Sequence, residues 1–176
     1  MCIRDRAYTH PVARWMYDDA EMRRTVETGL GQVGALARRH GIRLSLHPGQ
    51  YCVLASASEA TLRNSVEDFE YHTDLMRWAG HAGAWHPHGA HINIHVGSAV
   101  GGQDEALSRF RAALPLLSQD ARNLITVEND EMMFGLDDVL RLGDQLPVVL
   151  DFHHHWIASS GEYLSLIHIS EPTRPY

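Results

Sequence analysis

Only two cysteines, Cys2 and Cys52, occur in the 176 residues, so no disulfide framework can be built, and with no C-x-x-C spacing a thiolate zinc site is excluded as well. Cys52 then reads as a small buried side chain. No apolar run approaches the roughly 18 residues of a membrane span. The first residues lack the basic, apolar, small-residue order of a signal peptide, so the cytoplasm is the expected location. Low-complexity linkers and strict repeats are missing too. Lysine is absent altogether: all 15 basic side chains are arginine. Against these shortages histidine is abundant, with 13 copies, and such an excess points to metal or proton chemistry. Hydrophobic residues make up 44% and charged residues 21%, the composition of one soluble domain with a real core.

Both ends differ in character from the rest. "MCIRDR" at the start and "SLIHISEPTRPY" at the close resemble translated sequencing-adaptor tails, and fold reasoning sets residues 1–6 and 165–176 aside. The expected domain is then 7–164, an interior piece of a longer protein; the plain alternative is a pair of frayed termini.

Between the ends, helix and short apolar run alternate. Residues 18–40 read as a helix, with Asp18 and Asp19 at its positive start, Arg38 and Arg39 at its end and Gly41 as its stop. A strand follows over 42–47. Ser56 or Ser58 opens a helix over 59–79, in which Leu62, Val66, Phe69 and Leu75 or Met76 share one face. Then come a strand at 90–96, a helix at 104–118 with Leu107, Phe110, Leu114 and Leu117 in register, a strand at 124–128, a helix at 136–145 and a strand at 147–152. Four strands alternating with helices predict an α/β fold with a parallel sheet, either doubly wound or part of a barrel.

Side chains alternate faces along a strand, and that alternation separates the two. Leu44 and Leu46 oppose Ser45 and His47; Ile92, Ile94 and Val96 oppose Asn93 and His95. Ile125 and Val127 oppose Thr126 and Glu128, while Val148, Leu150 and Phe152 oppose Val149 and Asp151. One face of every strand is apolar, and the other ends in a potential metal ligand. A doubly wound sheet would bury both faces under helices, whereas a barrel gathers the C-terminal strand ends around one mouth. The prediction is therefore a partial (β/α)8 TIM barrel with about four consecutive strands. A lone His or Glu at a strand end is ordinarily hydrogen-bonded or solvated. Four at one level call for a counter-charge, and a divalent cation supplies it. Imidazole with carboxylate and no thiolate suits Zn, Mn or Fe.

The strings "LHPGQY", "INIHVG", "VEND" and "LDFHHHW", in this order on successive strand ends, resemble the UV damage endonuclease (UvdE) family, itself similar to endonuclease IV. The resemblance runs from about Arg43 to Trp156. It implies a metal-dependent TIM-barrel nuclease that cuts one strand of damaged double-stranded DNA immediately 5′ to a photoproduct or other lesion. By the same resemblance the metal ligands are His47, His95, Glu128, Asp151 and His154, with Glu128 as the bridging carboxylate. Glu128, His95 and His154 are then the catalytic residues, and the cofactor is a cluster of divalent ions, Mn2+ with Zn2+ as the second choice. Gln50 and Tyr51 become the pair that probes the lesion, Tyr51 by stacking and Gln50 by hydrogen bonds to base edges. No membrane and no obligate protein partner is expected, and the protein is taken as a monomer.

Three features sit uneasily with that reading. Strand parity puts His153, not His154, on the face of Asp151, against the family's D-x-x-H spacing. The family's remaining ligands and its modified lysine have no counterpart in this chain, which has no lysine, so the expected site is incomplete and the chain alone inactive. The net charge of −7 disfavours a DNA-binding surface unless bound cations reverse its local sign. Two alternatives follow: a xylose-isomerase-like sugar isomerase, which has no use for a Gln-Tyr probe, and an inactive truncated metal-binding fragment.

Overall fold

The computed structural model describes residues 17–81, 83–84 and 89–161; the expected tails lie outside them. In chain order the elements are α1 (Ala20–Arg39), β1 (Ser45–Leu46), α2 (Glu59–Trp78), β2 (His91–His95), α3 (Gln103–Ala113), a 3-10 turn (Leu114–Leu116), α4 (Gln119–Leu124), β3 (Ile125–Glu128), α5 (Leu136–Leu140), β4 (Val148–Val149) and α6 (Phe152–Ala158). The four strands are parallel and lie in the order β1-β2-β3-β4. Each strand thus sits beside its predecessor with no reversal of direction across the sheet. A doubly wound sheet needs such a reversal, whereas a barrel sector does not.

The apolar strand faces form the core. Ile92, Ile94, Ile125 and Val127 are at most 1% exposed and pack in one cluster with Phe69 and Met76 of α2, Leu107 and Phe110 of α3, and Val139 of α5. Each large side chain buried this way contributes about 1.5–3 kcal/mol. Helix ends follow local chemistry. Asp19 caps α1 by accepting from the Glu21 and Met22 amides, and of the two candidate serines Ser58 caps α2, accepting from Thr61 N. Helices α1 and α2 touch at Gly34, where a Cβ would lie 1.7 Å from the carbonyl oxygen of Ala79.

Several expected boundaries move. The helix at 104–118 breaks at Pro115, which has no amide to donate; a 3-10 turn follows, and Ser118 starts the separate α4 by accepting from Ala121 N. Its predicted face survives, since Leu107, Phe110, Leu114 and Leu117 are all buried. The helix at 136–145 ends at Leu140, and the strands at 42–47 and 147–152 shrink to two residues each. Both are outermost in the described sheet, so they form ladder bonds along one side only. The last strand stops for a further reason: Asp151 caps α6, accepting from the His153 and His154 amides at 2.8 and 2.9 Å.

Candidate metal centre

On the face opposite the core, the ladder sets His95 of β2 directly across from Glu128 of β3. His47, the first residue after β1, joins them. Its Nε2 lies 2.7 Å from Glu128 Oε1, and the Nε2 of His95 lies 3.0 Å from the same oxygen. One ligand atom from each of His47, His95 and Glu128 falls within 4.8 Å of the others. The His154 ring centroid is 5.2 Å from that of His95, while His153 is exposed. The parity conflict is thereby resolved: the strand has ended, and one helical turn from Asp151 brings His154, not its neighbour, to the site. Asp151 adjoins without entering the group of three. One of its carboxylate oxygens caps α6, and the other is 3.8 Å from His154 Nδ1.

The chemistry of this donor set fits a divalent cation. His47 Nδ1 is 2.9 Å from the Pro48 carbonyl oxygen and donates its proton there. In the neutral ring the lone pair of Nε2 then points at an anionic oxygen, an arrangement that needs a proton or a cation between them. The carboxylate of Glu128 raises the His47 pKa above that of an ordinary histidine, outweighing burial. Burial pushes the Glu128 carboxyl up, yet hydrogen bonding from His47 and the nearby imidazoles bring it below the usual range. His95 is lowered by burial, and its Nδ1 is buried without a partner among the described residues. Burial opposes the charge on His154, but the Asn129 carbonyl and the Asp151 and Glu131 carboxylates raise its pKa.

Each motif has a structural job for its remaining residues. In "VEND", Val127 enters the core and Glu128 the site. The side chain of Asn129, fully buried, accepts from Asp151 N and donates to Asp151 O, while the backbone carbonyl of Asn129 accepts from His154 Nδ1. Asp130 accepts from the amides of Met132, Met133 and Phe134 and so shapes the following loop. In "INIHVG", Gly97 adopts φ +94°, and a Cβ there would meet Val53 Cγ1 at 2.6 Å. In "LHPGQY", the chain turns back through a Cys52 N to Gly49 O bond of 2.9 Å, leaving Gln50 exposed and Tyr51 55% exposed. A cavity of about 330 Å3 opens over the group, with His47, Gln50, His95, Met133 and His154 in its wall. Sequence reasoning passed over Asn93, Thr126, Asn129 and the methionine loop. The first two were legible as inner-face residues, but their partners depend on register.

Residues 7–167 match the family model described as UV-endonuclease UvdE. The UV DNA damage endonuclease of Bacillus velezensis is 32% identical over 150 residues, covering 84% of this chain and 44% of that protein. The UV DNA damage endonuclease of Bacillus mycoides is 31% identical over 126 residues, covering 70% and 38%. The crystal structure of SacUVDE matches with a TM-score of 0.75 and 31% identity, over 96% of this chain and 56% of that one. The chain therefore spans less than half the length of these curated relatives. Among the described residues no helix is long and apolar enough to cross a membrane.

Proposed function

The chain belongs to the UV-endonuclease UvdE family, and from that premise we propose that it carries part of the metal centre of a cytoplasmic, monomeric DNA-repair endonuclease, one that cuts damaged duplex 5′ to UV photoproducts and other lesions. The observation that carries the proposal is the convergence of two imidazole Nε2 atoms on one buried carboxylate oxygen. His47, His95 and Glu128 would hold a divalent ion, Mn2+ for preference, with Asp151 and His154 beside it. When bound, such an ion activates water near neutral pH and neutralises charge developing on the phosphate. The chain's own residues prepare the site: the Pro48 carbonyl holds the His47 tautomer, Asn129 fixes Asp151 and His154, and Glu128 keeps its negative charge. Gln50 and Tyr51, exposed on the rim, meet the damaged bases. Residues 7–164 are an interior piece of the TIM-barrel domain that carries this chemistry.

The test is a hybrid in which residues 43–156 replace the matching segment of the Bacillus velezensis protein, assayed with Mn2+ on supercoiled plasmid. Nicking of UV-irradiated but not unirradiated plasmid is expected, while the 176-residue chain alone binds metal without specific incision. Replacing Gln50 and Tyr51 of the hybrid with alanine should cost roughly tenfold or more in nicking, since stacking on an aromatic is worth about 1–3 kcal/mol per base, with metal content intact. A folded hybrid that nicks equally well after His47→Ala or Glu128→Gln would overturn the proposal, as would aldose-to-ketose conversion in place of nicking.

A further inference from the structure

Beneath the ligands, on the same face of the sheet, lies a pair of buried polar residues. Asn93 is 6% and Thr126 3% exposed, and the ladder sets them opposite each other two residues before His95 and Glu128. Asn93 is thus the diagonal neighbour of Glu128, within reach across adjacent strands. The Thr126 hydroxyl donates to Asn93 Oδ1 at 2.9 Å, and Asn93 Nδ2 donates to Glu128 Oε2. The other carboxylate oxygen, Oε1, is the one that faces His47 and His95.

We propose that Thr126 and Asn93 form a relay that positions Glu128 for the cation, a role that rests on the metal-site reading above. A side-chain amide can be turned over, and turned over here it would set its oxygen against Glu128 Oε2. The ionised carboxylate only accepts, so Glu128 requires the amide nitrogen to face it, and the Thr126 hydroxyl, by donating to Oδ1 on the far side, completes and holds that orientation. The bond from Asn93 Nδ2 occupies Oε2, fixes the carboxylate plane and leaves Oε1 to the imidazole pair. The relay acts through Glu128 and touches neither ion nor substrate, so both members are positioning residues. Outer partners of this kind are worth 10–100-fold in metal affinity.

The test titrates the full chain with Mn2+ alone by calorimetry, paired with melting in EDTA. Thr126→Val keeps the shape and removes the proton; about tenfold weaker binding is expected, with Thr126→Ser recovering most of the loss. Asn93→Ala should weaken binding at least as much. Thr126→Val also leaves the buried Asn93 Oδ1 without its donor, so its EDTA melting temperature should fall by a few degrees, a loss that Thr126→Ser recovers together with the affinity. If Thr126→Val does not fold, the Thr126→Ala and Thr126→Ser pair makes the same comparison. Unchanged affinity in the variants lacking the hydroxyl overturns the relay, and so does a loss that follows the EDTA melting temperature and is not restored by serine. Glu128→Gln separates the two levels: if it weakens binding strongly while Thr126→Val leaves the affinity unchanged, the relay alone fails. If Glu128→Gln leaves binding unchanged, or the unaltered chain takes up no Mn2+, the metal-site reading fails with it.

Discussion

Replacing Glu128 with glutamine keeps the shape of the side chain and removes the charge on which two imidazoles converge. In the metal-free protein the change should be mild. Glu128 is buried, with its side chain 7% exposed, so a neutral amide escapes the desolvation cost of the carboxylate while losing the pairing with His47. The effect should appear when metal is added. An ion that binds only the folded state stabilises it by RT ln(1 + [L]/Kd), about 2.7 kcal/mol at a hundredfold excess over Kd. In a domain of this size each kcal/mol raises the melting temperature by about 2–4 °C, so Mn2+ should shift the unaltered chain by about 5–11 °C. If Glu128→Gln weakens binding about a hundredfold, the same Mn2+ concentration sits near its Kd and supplies only about 0.4 kcal/mol, a shift of about 1–2 °C. Differential scanning fluorimetry with EDTA and with Mn2+ reads both numbers. His153→Ala is the control: His153 is exposed, and its loss should leave the full shift. An undiminished Mn2+ shift in Glu128→Gln would refute the assignment of this carboxylate to the cation.

Proton and metal compete for His47, whose pKa lies above the ordinary value near 6.5 because of Glu128. Mn2+ affinity should therefore climb as pH rises through and beyond 6.5. In the metal-free chain the sign is opposite: the His47–Glu128 pair stabilises fully below about pH 6.5 and loses its contribution as pH rises through the raised pKa, which urea melts at pH 6 and 8 in EDTA would reveal. Two glycines of α1 should respond with opposite signs. A Cβ at Gly29 would meet open space, so Gly29→Ala should stabilise by about 0.5–1 kcal/mol, whereas Gly34→Ala sets a methyl 1.7 Å from Ala79 O and should cost about 1–3 kcal/mol in the same melts. Cys52 is 6% exposed, and burial pushes its thiol far above the usual range; in a Cys2→Ser chain Ellman's reagent should find no thiol until denaturant is added.

The fold was legible where hydrophobic pattern and register agree. Alternation along 90–96 and 124–128 separated Ile92, Ile94, Ile125 and Val127 from Asn93, His95, Thr126 and Glu128, and the structure buries the first set under helices while the second shares the opposite face. Alternation failed at 147–152 because it assumes a strand that continues. The competing signal was present, since an aspartate able to cap a helix stands at 151. Apolar content at Leu150 and Phe152 masked it, yet Phe152 is 58% exposed. The same holds at Pro115, where a regular run of leucines hid a break that a missing amide makes unavoidable.

The site divides along the same line. That His47, His95 and Glu128 come together was legible from one-dimensional parity because each ends an inward row, and parity is a property of a single strand. What each side chain does there is set by pairs of strands. Asn93 reaches Glu128 only because β2 and β3 register Asn93 with Thr126; shifted by one residue, the same sequence would send Asn93 and His95 to the helix side. Asn129 is legible neither by parity nor by motif, because it binds the backbone of Asp151 rather than its side chain. That backbone clamp joins the end of β3 to the start of α6 and sets the distance at which His154 meets His95. Removing it with Asn129→Ala should therefore loosen His154 while leaving the His47–His95–Glu128 group in place. In NMR spectra of the metal-free chain, the His154 ring resonances should move more than those of His47, and an equal change in both would show that the two halves of the site are not held separately.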